Sequence, residues 1–236
     1  MIYVRSASLL ALFLLFFSAG MDVKADEKPD SLVFSQILGS HPHKAGANIL
    51  KKIYASIGID VRFITLPARR SLEAAGRGET DGEIFRIKSV GSEYPDLVRI
   101  PTPLMTFQGY AYTLNGSAIN RMDGLDEFRV GIVRGILWAE KRVESVNVVQ
   151  VENNAQLLEK LLKGGIDVAI TTGYNFEREI QKKENVRQLI TRGKPLLSFD
   201  VFHYLNRKYE SLVDDVDREI QKLHQTGEIA KLGKLP

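Results

Sequence analysis

The chain contains no cysteine in its 236 residues. That excludes a disulfide framework and a thiolate nucleophile, so stability must come from the core alone. It also leaves no residue near the N-terminus to carry a lipid, which favours a freely diffusing protein over a tethered one. Charge of one sign is scarce too: 32 Lys and Arg against 29 Asp and Glu give a formal net charge of only +3. No basic run with interleaved aromatics occurs, so nucleic acid is not an expected partner. A nucleophile elbow, a His-Glu-x-x-His helix and a glycine-rich phosphate loop are all missing. An enzyme is therefore not expected, and nothing calls for a cofactor. His41-Pro42-His43 offers two imidazoles at most, with no cysteine to complete a metal set, and reads as a solvated loop.

Long apolar runs are absent except at the start. Arg5 precedes Leu9 to Phe17, followed by Ser18-Ala19-Gly20 and Val23-Lys24-Ala25. A positive end, an apolar middle and a small residue before a cut after Ala25 describe a cleaved export signal. The apolar stretch is shorter than the roughly 20 residues a spanning helix requires. The expectation is a signal peptide at residues 1–25 and a soluble mature chain in the periplasm. Its removal takes away Arg5, Lys24 and Asp22, lowering the net charge by one.

What is present is a pattern stated twice. Val61 to Leu66, Ala68 to Ala75 and Gly78-Glu79-Thr80-Asp81-Gly82-Glu83-Ile84 form the first copy. Val146 to Val151, Asn154 to Leu162 and Gly165-Ile166-Asp167-Val168-Ala169-Ile170 form the second. Each reads strand, helix, glycine turn, Asp, strand. A crossover helix makes the strands parallel and the connection right-handed. Two such units predict two similar α/β lobes, with a cleft between them for a small molecule.

Around the repeat, Leu32 to Ile37 reads as a buried strand and Ala45 to Ile57 as a helix with Ile49, Leu50, Ile53 and Ile57 on one face. Phe107 to Leu114 and Leu196 to Leu205 are extended and aromatic, the two passages between lobes. Asn115-Gly116 marks the first crossing, and hinges are expected near Tyr112–Asn115 and Lys194–Ser198. From Ser211 to about Lys231 a helix turns Leu212, Val216, Ile220 and Leu223 inward, interrupted at Gly227.

Three stretches together resemble the periplasmic solute-binding proteins of the polar amino acid type (extracellular solute-binding family 3), the receptors of ABC importers. They are Pro67-Ala68-Arg69-Arg70-Ser71-Leu72 with Gly78 to Gly82, then Val130 to Gly135 with Leu161 to Ala169, and last Tyr204 to Tyr209 through Asp217, Ile220 and Gly227-Glu228-Ile229. The resemblance implies a two-lobed, type II periplasmic binding protein fold of class α/β, with two β crossings. It places residues 26–114 and 198–236 in lobe 1 and 115–197 in lobe 2. It further implies a monomer that hands one solute to an ABC permease, or reports it to a separate membrane sensor. A dehydratase-like enzyme on this fold is the remote alternative. Amino-acid binders of the family usually carry Thr-x-x-x-x-Arg after the first Asp strand, and an Asp where this chain has Thr172. The corresponding stretch here, Arg86 to Glu93, lacks that spacing.

Ligands of open α/β lobes sit beyond the carboxyl ends of the strands. That rule selects Ser35, Gln36, Arg86, Arg134, Gly135, Thr171, Thr172 and Tyr174, and the family helix adds Arg70. Gly135 at a strand-to-helix turn would let an anion approach backbone amides, with Arg134 beside it. Arg86 lies on a buried strand and needs a carboxylate; Glu83, three residues away, belongs on the opposite face of a regular strand. The expected solute is therefore small and anionic or zwitterionic.

Overall fold

The computed structural model describes residues 28–114, 124–143 and 147–232. The expected signal at 1–25 and the turn at Asn115-Gly116 lie outside them. Ser31–Ile37 forms strand β1, with Leu32 and Phe34 buried. Helix α1, His41–Ser56, starts ahead of the expected Ala45 because Ser40 caps it: Ser40 Oγ accepts from the His43 N–H, and Pro42 occupies the first turn, where its missing N–H has no partner to lose. His41 and His43 thus belong to a helix and not to a solvated loop.

Strand β2 (Asp60–Leu66), helix α2 (Ala68–Gly76) and strand β3 (Gly82–Ile87) follow, and β1 runs parallel between β2 and β3. A short turn of helix, α3 (Val90–Glu93), and strand β4 (Leu97–Arg99) lead to the long strand β5 (Met105–Leu114). The second lobe repeats the plan. Strand β6 (Arg129–Val133), the short helix α4 (Leu137–Glu140), strand β7 (Asn147–Val151), helix α5 (Asn154–Leu162) and strand β8 (Val168–Thr172) place β6 in parallel between β7 and β8.

The repeated aspartates do the same work in both lobes. Asp81 Oδ2 accepts from the Val33 N–H at 2.7 Å while the Asp81 N–H donates to the Val33 carbonyl. Asp167 Oδ2 accepts from the Arg129 N–H at 2.9 Å, and its own N–H donates to the Arg129 carbonyl. Each side chain satisfies a donor on the central strand that no neighbouring strand reaches. The spacing from the first strand of each unit to its Asp is the length of chain needed to cross the sheet and return to that point.

Helix α6 (Gly173–Gln181) leaves β8 directly; strand β9 (Ile190–Arg192) and the long β10 (Leu197–Asn206) come next, then α7 (Val213–Gln225) and α8 (Glu228–Leu232). The strands form one continuous sheet in the order β2-β1-β3-β10-β5-β8-β6-β7. The antiparallel strands β10 and β5 at its centre join the lobes. Gly109 is where β5 changes partner: it stands opposite Leu197 of β10 and Thr172 of β8. The transfer lies upstream of the expected Tyr112–Asn115. A Cβ on Gly109 would meet the Trp138 ring at 2.7 Å, so glycine lets that indole lie on the strand where it changes lobes.

Each lobe has its own core. In the first, Leu32, Phe34, Ile49, Ile53, Ile84, Leu205, Val216 and Ile220 are sealed between the sheet, α1 and α7. In the second, Leu157, Leu158, Leu161, Ile166 and Phe176 pack under α5 and α6. Among the described residues, no helix is long and apolar enough to cross a membrane.

Candidate functional site

A cavity of about 80 Å³ lies between the lobes, at the carboxyl ends of β1, β3 and β8. The first lobe contributes Ile37, Ser40, Pro42, His43, Phe85 and Arg86; the second contributes Ile136, Leu137, Trp138, Asn154, Thr171, Thr172 and Asn175; the crossing strands add Phe107 and Phe199. The lobes touch around it. Arg69 Nη2 reaches Glu140 at 3.2 Å, Lys141 Nζ reaches Glu93 at 2.6 Å, and the His41 N–H donates to Asn175 Oδ1 at 3.0 Å. A Cβ on Gly135 would stand 2.5 Å from the backbone nitrogen of Arg69, so the two lobes meet backbone to backbone there.

Among the described residues of the cavity wall, Arg86 is the one cationic side chain, 6 % exposed. Its Nη2 donates to Glu83 Oε1 at 2.8 Å and to the Ala68 carbonyl at 2.9 Å; Nη1 makes a longer contact, 3.4 Å, to the Gly135 carbonyl of the other lobe. The expectation that Glu83 lies on the wrong face is corrected by the pairing of β3 with β10. Phe202 stands opposite Arg86 and Tyr204 opposite Glu83, so Ile84 and Phe85 together oppose His203 alone. This bulge shifts the alternation by one residue and brings Glu83 and Arg86 onto the same face. Ile84 and Phe85 both enter the first-lobe core. His203 fills the irregular place: its Nδ1–H donates to the carbonyls of Glu83 and Ile84 at 2.8 and 3.2 Å, and its Nε2 accepts from the Tyr54 hydroxyl at 2.8 Å.

Fully buried Glu83 takes a second bond from Ser71 Oγ at 2.6 Å, yet burial still raises its pKa against the opposing pull of Arg86. Glu83 Oε2 and Arg86 Nε, both buried, have no hydrogen-bond partner. His43 accepts the Ile37 N–H on Nδ1, which leaves Nε2–H as its donor; its ring rests 4.3 Å from that of Phe85. Burial, then the Arg86 charge, hold its pKa well below the ordinary value, so it is neutral.

Of the residues chosen from the sequence, Arg86, Thr171 and Thr172 line the cavity. Thr171 Oγ1 donates to Asn154 Oδ1 at 2.8 Å, and Thr172 is the N-cap of α6 with no side-chain capping bond. Gly135 contributes its carbonyl to Arg86, but its N–H is taken by Glu140 Oε1 at 2.7 Å. Arg134 requires correction: its side chain turns outward to Glu152 at 3.0 Å and Gln150 at 3.2 Å, and its N–H is used by the Val151 carbonyl. That turn therefore offers an anion neither of the groups expected of it. Ser35 is sealed inside the first lobe, bonding the carbonyls of Ser71 and Gly82, and Gln36 bonds Thr65. Arg70 is exposed on α2 and absent from the wall, and Tyr174 borders a separate polar groove with Glu177 and Arg192. Sequence reasoning missed Ser40, His43, Asn154, Asn175 and the aromatic wall. A Ser ahead of a Pro-containing first turn was the available signal for the first two.

No family model matches the chain. An uncharacterized protein from Shewanella oneidensis is 26 % identical over 180 residues, covering 73 % of this chain and 68 % of that protein. Solved structures are similar throughout. An amino acid ABC transporter substrate-binding protein from Streptococcus pneumoniae, bound to L-arginine, superposes with a TM-score of 0.72 at 16 % identity, covering 87 % of this chain and 93 % of that one. The GluR0 ligand-binding core in complex with L-glutamate gives 0.74 at 12 % identity, covering 89 % and 100 %. A histidine kinase sensor domain similar to periplasmic binding proteins gives 0.71 at 14 % identity, covering 86 % and 93 %. The chain carries the two-lobed periplasmic binding protein fold that these structures share.

Proposed function

We propose that this protein is a periplasmic solute-binding protein that captures one small solute, anionic or zwitterionic, between its lobes and delivers it to an ABC importer. The observation that carries this reading is a cavity walled by both lobes, with a buried arginine that contacts both. A ligand that touches both walls favours the closed form in proportion to its difference in affinity for the two forms. A permease could then tell a loaded receptor from an empty one.

Arg86, Thr171 and Thr172 are the sequence-selected residues that would meet the solute, joined by Ser40, His43, Asn154 and Asn175. The lobes would comprise residues 26–114 with 198–236, and residues 115–197. The mature chain would act in the periplasm as a monomer, after removal of residues 1–25, and would leave its ligand unchanged. The similarity to a histidine kinase sensor domain favours a second reading, in which the same closure reports the solute to a separate membrane partner. A thermal-shift screen of small metabolites, followed by calorimetry and small-angle scattering, tests the binding reading. Saturable binding with a reduced radius of gyration is expected; turnover of the compound would make it an enzyme instead.

A further inference from the structure

The cavity wall has a definite chemical polarity. Among the described residues that line it none is acidic: Glu83 is paired with Arg86 and is absent from the wall. The positive sources, by contrast, converge. Arg86 is there, and three helices of nine residues or more begin at the cavity: α1 behind Ser40, α5 at Asn154, and α6 at Thr172. Their amino ends carry partial positive charge, and the low-dielectric setting strengthens it. Arg86 lines the cavity with a guanidinium more than nine-tenths buried, and its Nε has no hydrogen-bond partner.

Beside the polar His43, Thr171 and Asn175, the rest of the wall is apolar. Phe85, Phe107, Phe199 and Trp138 form a connected aromatic surface from both lobes, with the Trp138 and Phe199 rings 5.1 Å apart. An ammonium placed in this cavity would lose its water and gain no carboxylate in return, a penalty of the kind that drives buried charges to pair or neutralise. Resting on the binding reading above, we propose that the solute is a small monocarboxylate with an apolar body and no ammonium group. Its carboxylate would lie against Arg86 and the helix starts, and its hydrocarbon against the aromatic wall.

The test is calorimetry on the purified chain with matched pairs of compounds that differ by the ammonium alone. Propionate is set against alanine, isocaproate against leucine, and hydrocinnamate against phenylalanine; isocaproamide tests the need for the charge. At least one acid should bind more than tenfold tighter than its amino acid and than the neutral amide. Replacing the ion pair by two neutral amides, Glu83→Gln with Arg86→Gln, avoids stranding a buried charge and should abolish the margin between acid and amide. Asn175→Trp, which would put an indole into the cavity from the first turn of α6, should abolish binding altogether. Amino acids that bind as tightly as the acids, and are blocked by Asn175→Trp, would overturn the monocarboxylate while leaving cleft binding in place. Acid binding that survives Asn175→Trp would overturn both. A double variant that keeps the full margin, or no acid binding at millimolar concentration, would overturn the proposal as well.

Discussion

Glu83 and Arg86 are ion-paired at 2.8 Å within one strand, three positions apart, because β3 carries one residue more than β10 between them. The pair is buried on both sides, so its members depend on each other. Arg86→Ala would leave the Glu83 carboxylate uncompensated in the interior, which costs about 3–5 kcal/mol in comparable sites. Urea unfolding should show that loss, and the double replacement Glu83→Gln with Arg86→Gln should recover most of it. A single Arg86→Ala variant as stable as the parent would show that the pair is dispensable to the fold.

Gly135→Ala should separate closure from folding. The added methyl would need to occupy space 2.5 Å from Arg69 N, and the residue sits at φ +79, where alanine is strained. The clash exists only when the lobes are shut. The variant should keep its circular dichroism, with a melting temperature lowered by a few degrees. In small-angle scattering it should show the larger radius of gyration with and without ligand. A variant that compacts as the parent does would place the lobe contact elsewhere.

Acid should weaken the fold through His203. Burial pushes its pKa down to about 4, and the two carbonyls that accept from its ring only partly offset this. In the unfolded chain the ring takes up a proton near its ordinary value of about 6.5. Stability should therefore fall as the pH drops from about 6.5 to about 4, by an amount on the order of 3 kcal/mol, and level off below. His43, also depressed, adds in the same direction. Glu83 acts oppositely: its raised pKa favours the fold below the ordinary carboxylate value and loses that contribution as the pH rises. Urea midpoints across this range, compared between the parent and His203→Gln, isolate the histidine; an unchanged slope in the variant would exclude it.

The two repeat aspartates should differ in weight although they make the same bond. Asp81 is 14 % exposed and also holds Lys208 at 2.8 Å, whereas Asp167 is 38 % exposed. Asp81→Ala should cost on the order of 2 kcal/mol, the scale of a charge-assisted hydrogen bond. Asp167→Ala should cost distinctly less, because water screens its pair with Arg129. Equal losses by chemical denaturation would mean that the backbone bond alone sets the value.

The repeat, the two long extended segments and the break at Gly227 were legible because each rests on local periodicity or a glycine conformation; Gly227 has φ +68 between α7 and α8. The site was less so. Arg86, Thr171 and Thr172 were reachable from the rule about strand ends, since that rule depends only on chain direction. Arg134 obeys the same rule but turns outward, because Glu152 and Gln150 lie at the end of the neighbouring strand. That neighbour is known only once the sheet order is known. The bulge that unites Glu83 with Arg86 arises from register against β10, more than a hundred residues away, and leaves no mark in the local alternation.

The position of β10 in the sheet bears on how the chain acquires its structure. It lies between β3 and β5, and α7, which follows it, covers the first-lobe core. The early segments β1 to β3 thus finish their sheet only with a strand that follows them by more than a hundred residues. The elements from β6 to β8 need only one another and the nearby β5, all within a single run of sequence. Short-range contacts of that kind form fastest, since little loop entropy must be lost before they are gained. The second lobe should therefore fold first and hold β5 as a template, while the beginning of the chain stays an unfinished sheet with an open edge until its last third arrives.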